Sequence, residues 1–312
     1  MSSESPSVVV VGSVAVDWVI TPKAEREKSV GGSATFFSMA ASYFGPVRLV
    51  GIVGKDFPGK SLDDLRSAHV DTEGLEVVSD GLTFHWKGRY HDDMNSRDTL
   101  DTQLNVFEHF DPKLPESYQR SEYLFLANIV PALQAKVLDQ MATRPRLVGL
   151  DTMNLWIDQT RGDLVKVLER VDVLTINEEE ARQLTGEPNL VRAAKAIHDI
   201  GPKSLVIKRG EYGALLFHEG EVFSAPALPL EEVIDPTGAG DCFAGGFMGY
   251  LARVGQTTGD SLRSAMIYGS VMASYCVQGF SYDQLVGLSH EQIDERFMQF
   301  SRLTHFERAR LL

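Results

Sequence analysis

Cysteine is nearly absent: Cys242 and Cys276 are the only two among 312 residues. Two such residues cannot staple a disulfide scaffold, and neither falls in a Cys-x-x-Cys or Cys/His spacing that would hold zinc. A reduced compartment, the cytoplasm, is the expectation, with Cys242 a small core filler rather than a nucleophile. Basic charge is also scarce, since 30 Lys and Arg against 43 Asp and Glu leave a net charge of −13. That deficit argues against a nucleic-acid or anionic-membrane footprint and leaves small molecules as the expected partners, although a local basic pocket can still hold an anion. Long apolar runs are missing, so no segment reads as a membrane span. The start, Met1-Ser2-Ser3-Glu4-Ser5-Pro6-Ser7, lacks the basic residues of a signal peptide, and the apolar run 8–11 is too short for one. Internal repeats, low-complexity tracts and dividing linkers are also lacking. A chain of this length with 43% hydrophobic residues suits one large α/β core with a small appendage.

What is present has a rhythm. Short β-branched runs at 8–11, 47–53, 123–126, 147–150, 171–176 and 205–207 are followed by helical patterns, the first at about 33–44 and the next from Ser61. The alternation predicts a parallel sheet whose ligands gather at the carboxyl ends of the strands. Two stretches break it, 14–30 and 83–91, and read as extra strands outside that sheet.

Glycine is concentrated where it is costly. The segment Asp235-Pro236-Thr237-Gly238-Ala239-Gly240-Asp241 opens an amphipathic pattern through Phe243, Phe247 and Leu251 that contains Gly245, Gly246 and Gly249. Each interior glycine costs a helix about 1 kcal/mol relative to alanine, so a purpose other than packing is expected. Gly238 and Gly240 leave backbone donors open at the positive end of the helix, and Asp241 sets a carboxylate beside them. An anion nest next to an oxygen base suits transfer of a phosphoryl group to a hydroxyl. An N-capped helix packed closely on a neighbour is the plainer reading.

The order of these residues resembles the ribokinase-like carbohydrate kinases of the phosphofructokinase B (PfkB) type. The resemblance covers the chain from Val8 to about Cys276. It implies one domain over residues 1–312 with a three-layer α/β fold: a mostly parallel central sheet flanked by helices, and a small β lid from about 14–30 and 83–105. It also implies an ATP-dependent, Mg2+-requiring kinase in which Asp241 is the catalytic base and Gly238, Ala239 and Gly240 form an anion hole. Asn177 and Glu180 match a family Asn-x-x-Glu motif that arranges Mg2+, with Glu180 acting largely through water, although Asn177 also suits a plain helix cap. Lys208-Arg209-Gly210, with Gly213, resembles the nucleotide loop, where many relatives have Thr-Leu-Gly. A cationic contact to phosphate, from Lys208 or Arg209, then replaces a hydroxyl. On the acceptor side Asp17, Gly31, Gly32 and Ser33 resemble substrate-binding elements. Asn128 at a strand end is a further candidate or a structural cap, and Asp151 to Trp156, including Asn154, partly matches a family pattern that usually ends in Arg. A monovalent cation and a homodimer paired through the lid are further expectations.

Two rivals remain open. Gly54-Lys55-Asp56-Phe57-Pro58-Gly59-Lys60-Ser61 matches G-x-x-x-x-G-K-[ST] literally, which makes a P-loop nucleotidase a competing reading. Pro58 weakens it by removing a phosphate-facing N–H. A non-catalytic sugar sensor of the same fold is the other. The acceptor hydroxyl is expected to be primary, on a sugar or a nucleoside-like molecule. Many relatives have Asn where this chain has Phe36, and Phe36, Phe84, Trp86 and Tyr90 allow stacking on a base. Lys87, Arg89 and Arg97 keep a sugar phosphate in view.

Overall fold

Thirteen strands form two sheets in the computed structural model, which describes residues 6–307. Most of the Met1–Ser7 stretch read for targeting lies outside the described residues. The strands are β1 Val8–Val11, β2 Ala15–Ile20, β3 Glu25–Gly31, β4 Val47–Gly54, β5 Val70–Val78, β6 Phe84–Tyr90, β7 Arg97–Gln103, β8 Tyr123–Leu126, β9 Leu147–Asp151, β10 Val173–Asn177, β11 Ser204–Lys208, β12 Ala214–His218 and β13 Glu221–Ala225. The large sheet runs β13-β12-β11-β10-β9-β8-β1-β4-β5. It is parallel from β11 to β5, while β12 and β13 return antiparallel at one edge.

Both faces of the large sheet are covered, which is why its central strands are apolar throughout instead of alternating. Val8 and Val10 of β1 enter one core with Phe37, Phe247 and Met272, while Val9 and Val11 enter a second with Leu124, Ile157 and Leu174. Three layers result. Among the described residues no helix is long and apolar enough to cross a membrane.

The smaller sheet, β3-β2-β6-β7, is mixed: β2 and β6 run parallel, and the outer pairs are antiparallel. β2, β3 and β6 are the two stretches that broke the sequence rhythm, and β7 lies beyond the second of them. The edge strands β5 and β13 carry no comparable apolar run, while β12, which has one at 214–217, was not among the expected strands. Edge position explains the two weak patterns, because one side of an edge strand faces water and its pattern is diluted by polar residues.

The glycines in the Ala239–Val254 helix require a correction. A Cβ on Gly245 would overlap the carbonyl oxygen of Phe37, one on Gly246 would come 2.8 Å from the carbonyl oxygen of Tyr268, and one on Gly249 would touch Ala41 and Phe44. This helix is pressed backbone to backbone between the Ser33–Ala41 and Gly259–Cys276 helices. Packing is therefore the reason for these three glycines, as the plainer reading held, while Gly238 and Gly240 lie ahead of the packed region.

Candidate functional site

The carboxyl ends of the parallel strands supply one side of the site. Asp151 ends β9, Asn177 ends β10 and Lys208 ends β11. Lys208 reaches across β10, and its Nζ lies 2.7 Å from Asp151 Oδ2, with both side chains largely buried. Arg209, the alternative cation, points outward to Glu178 at 4.0 Å. Asn177 and Glu180 close a capping box: the Asn177 N–H donates to Glu180 Oε2 and the Glu180 N–H to Asn177 Oδ1, each at 2.8 Å. Capping fixes the Glu180 carboxylate at the end of the strands. Burial first, and then the nearby Asp151 charge, push it up to about 7, while Lys208 pulls the other way.

Opposite these strand ends begins the Ala239–Val254 helix, three residues earlier than its apolar pattern suggested, so Gly240 and Asp241 lie in the first turn. Gly238 takes a left-handed conformation at φ 77°, and a Cβ there would overlap the Phe36 ring. The Ala239 N–H is spent on the Pro236 carbonyl at 3.2 Å. Those of Gly238, Gly240 and Asp241 have no backbone acceptor among the described residues, so within the glycine bracket only the Ala239 donor is spent. Asp241 is half-buried. Burial pushes its carboxyl up to about 7, Asp151 adds to the rise, and Lys208 and Arg97 oppose it. Lys208 Nζ would lie 3.0 Å from a Cβ on Gly240, which places the ammonium against the helix start.

Of the acceptor candidates, Asp17 and Gly31 belong to the smaller sheet, and Gly32 and Ser33 follow it directly. Asp17 in β2 is buried, its Oδ1 has no hydrogen-bond partner, and burial followed by the Asp235 charge raises its carboxyl well above the usual range. Gly31, beside it in β3, leaves the room that Asp17 Oδ2 fills. Gly32 caps the Ser33–Ala41 helix, and Ser33 binds the loop after β1: its N–H donates to Ser13 Oγ at 3.0 Å and its Oγ accepts the Ser13 N–H at 3.3 Å. The amide of Asn128 accepts from Trp156 Nε1 at 2.8 Å and donates to Met153 Sδ. Asn154 Nδ2 donates to Gln183 at 2.7 Å. Both asparagines thus spend side-chain groups on neighbouring side chains, and Trp156, at the position where the resemblance implied an arginine, is held by Asn128.

Three of the four aromatics named for base stacking are engaged elsewhere. Phe36 is buried under Gly238, Phe84 stacks on Phe107, and Tyr90 Oη meets Thr237 Oγ1 at 3.2 Å. Trp86, lying over Gly88, keeps a half-exposed ring. Asp235 was absent from the sequence reading as a site residue. Its Oδ1 accepts the Thr237 N–H at 2.8 Å, its buried Oδ2 has no partner, and burial pushes the carboxyl up to about 6. Its place three residues before the glycine bracket was the only hint.

A cavity of about 640 Å³ opens beside Gly240, between Lys208, Gly210 and Gly213 on one side and Phe243, Ala273 and Val277 on the other. Polar backbone at one end and an apolar floor suit a nucleotide with its phosphates toward Lys208. The literal P-loop is elsewhere. Its Lys55 N–H donates to Gly81, Phe57 to Gly54 and Ser61 to Pro58, and Asp56 Oδ1 accepts from the Thr83 N–H and hydroxyl. Residues 55–58 form the turn between β4 and the Gly59–Ser67 helix, and Asp56 ties it to Thr83 just ahead of β6. Lys60 and Ser61 line a separate cavity of about 530 Å³ that shares no residue with the first. Lys60→Ala is therefore expected to leave ADP release close to that of the unaltered protein. A loss as deep as that of an Asp241 variant would restore the P-loop reading.

The model of the pfkB family of carbohydrate kinases matches residues 5–283. A cytidine kinase of Thermococcus kodakarensis is 34% identical over 253 residues, 79% of this chain and 88% of that protein. The nucleoside kinase of Methanocaldococcus jannaschii shares the fold with a TM-score of 0.75 at 19% identity, covering 95% of this chain and 99% of the other. An Escherichia coli structure of ribokinase type, in complex with ATP and Mg2+, gives 0.76 at 20% identity, covering 94% and 99%.

Proposed function

The chain belongs to the pfkB family of carbohydrate kinases, and from that premise we propose that it transfers the γ-phosphoryl group of ATP to the primary hydroxyl of a nucleoside, with Asp241 as the base. ATP-dependent phosphorylation of a sugar or nucleoside hydroxyl is the activity at family level. The observation that carries the finer reading is the start of the Ala239–Val254 helix, where open N–H donors and a carboxylate raised to about 7 share one turn, facing Lys208.

Asp241 takes the acceptor proton as the hydroxyl oxygen attacks. The donors of the first helical turn, Gly240 foremost, hold the oxygens of the transferring group, and Lys208 meets the phosphates from the strand side. Asp17, with an unpartnered oxygen, binds acceptor hydroxyls. Glu180 fits Mg2+ held mainly through water, because the capping box holds its carboxylate at the strand ends and magnesium takes oxygen ligands while keeping several waters. When bound, Mg2+ neutralises charge on the phosphates. Asp235 Oδ2 is the oxygen fitted to a monovalent cation. The acceptor choice follows from the likeness to a cytidine kinase and from Trp86, a half-exposed aromatic side chain of the type that stacks on a base.

ADP release measured with cytidine, other nucleosides, ribose and 2-dehydro-3-deoxygluconate tests this reading. Cytidine is expected to give the highest kcat/KM. A sugar that outruns every nucleoside would overturn the acceptor assignment, and silence with every acceptor would favour the sensor. The pH profile is a second test. Only ionised Asp241 can accept a proton, so kcat/KM should climb with pH through about 7 and then level. A limb in the ordinary carboxylate range would remove the raised carboxyl, and the same limb persisting in Asp241→Asn would remove Asp241 as the base.

A further inference from the structure

The hairpin joining β6 and β7 spans the whole site. At its root Tyr90 bonds Thr237, just ahead of the helix that carries Asp241. At its tip Asn95 Oδ1 lies against Gly210 of the nucleotide-side loop. A turn holds that tip, with Asp93 Oδ1 accepting the N–H groups of Asn95 and Ser96. Arg97 leaves the tip directly opposite Tyr90 in the ladder. Residues opposed in this way project to the same face, so Arg97 shares the face by which Tyr90 meets the large domain. Its guanidinium lies 5.9 Å from the ring of Trp86, which occupies that face too.

The other two lid cations fall on the opposite face by strand alternation. Lys87 Nζ lies 3.1 Å over the Trp18 ring, and Arg89, exposed like Arg97, differs from it in the face it takes. The cleft below holds Asp17, Asp151, Glu180, Asp235 and Asp241, against which the large domain sets Lys208. Arg97 is close enough to pull the carboxyls of both Asp241 and Glu180 downward.

We propose that Arg97 is the lid's catalytic cation, contacting the phosphoryl group in transit from the face opposite Lys208. The proposal rests on Asp241 being the base. In the step itself the acceptor proton passes to Asp241, and the acceptor oxygen bonds to the γ-phosphorus as the bond to the bridging oxygen of ADP breaks. Arg97 keeps its proton and binds the non-bridging oxygens. Lid closure then supplies part of the catalytic charge, so ATP in an open site, without acceptor, reacts slowly with water.

Arg97→Met tests this, with Arg89→Met as the control from the outer face and Asp241→Asn measured alongside. Arg97→Met is expected to lower kcat by about 10²–10³-fold, with KM for either substrate little changed. Arg97→Lys should recover only part, because an ammonium lacks the planar fork. The acid limb of kcat/KM should move to higher pH, since a cation that favours ionised Asp241 is gone. Arg89→Met should match the unaltered enzyme. The proposal falls if Arg97→Met keeps kcat, if the whole effect lies in KM, or if Arg89→Met loses as much. Activity in Asp241→Asn would instead remove the base on which it rests.

Discussion

Asp241→Asn is expected to lower kcat by about 10²–10⁴-fold, the usual contribution of a positioned general base, while the protein stays folded. The substitution keeps the size of the side chain and removes only its capacity to take a proton. Stability should barely change, because two effects oppose each other. A carboxylate in the first turn favours the helix by about 0.3–1 kcal/mol, but this one is desolvated and repelled by Asp151. Loss of one negative charge beside the phosphate site should leave KM for ATP unchanged or lower. Steady-state rates and thermal melts of the same preparation separate the cases. A folded Asp241→Asn enzyme with near-normal kcat would mean that another group, or water, receives the proton.

Lys208→Met is expected to lose roughly 3–5 kcal/mol of stability, the cost of leaving one member of a buried ion pair behind. Lys208 and Asp151 have side-chain exposures of 18% and 7%, so solvent cannot replace the lost partner. Glu180 and Asp241 stand nearby with the same sign. Denaturant midpoints of Lys208→Met, Asp151→Asn and the double variant form the test. The double variant should regain much of the loss, because no unpaired charge remains. Equal destabilisation in the single and double variants would assign the cost to packing of the lysine stem. Activity should not return in the double variant, since the cation against Gly240 is still missing.

Much of the large sheet could be read from the chain because parallel strands buried on both faces must be apolar runs, and helices between them must show a repeat of about four. The small sheet was visible as a break in that rhythm. Edge strands were not, since their polar sides dilute the signal. Within the site the Gly238 to Asp241 bracket and the Asn177–Glu180 box were legible because each is local: a turn and its helix are written in consecutive residues. The three helix glycines misled for a related reason. Their cost is local, but what offsets it, the close approach of two other helices, lies at Phe37 and Tyr268.

The chemical kit, then, was determined by the sequence alone: an anion nest beside a carboxylate, a capped acidic helix start, a cation after a strand, and a run of strands that sends their ends to one side. The tertiary structure decided which members meet. Asp151 and Lys208 are 57 residues apart and pair because β9 and β11 flank β10, an order no local pattern encodes. Phe36 is withdrawn under Gly238, and Arg97 falls on the face of the small sheet that carries Tyr90 while Lys87 and Arg89 fall on the other. Facing depends on strand register, which is set only when the sheet is assembled and one face is buried.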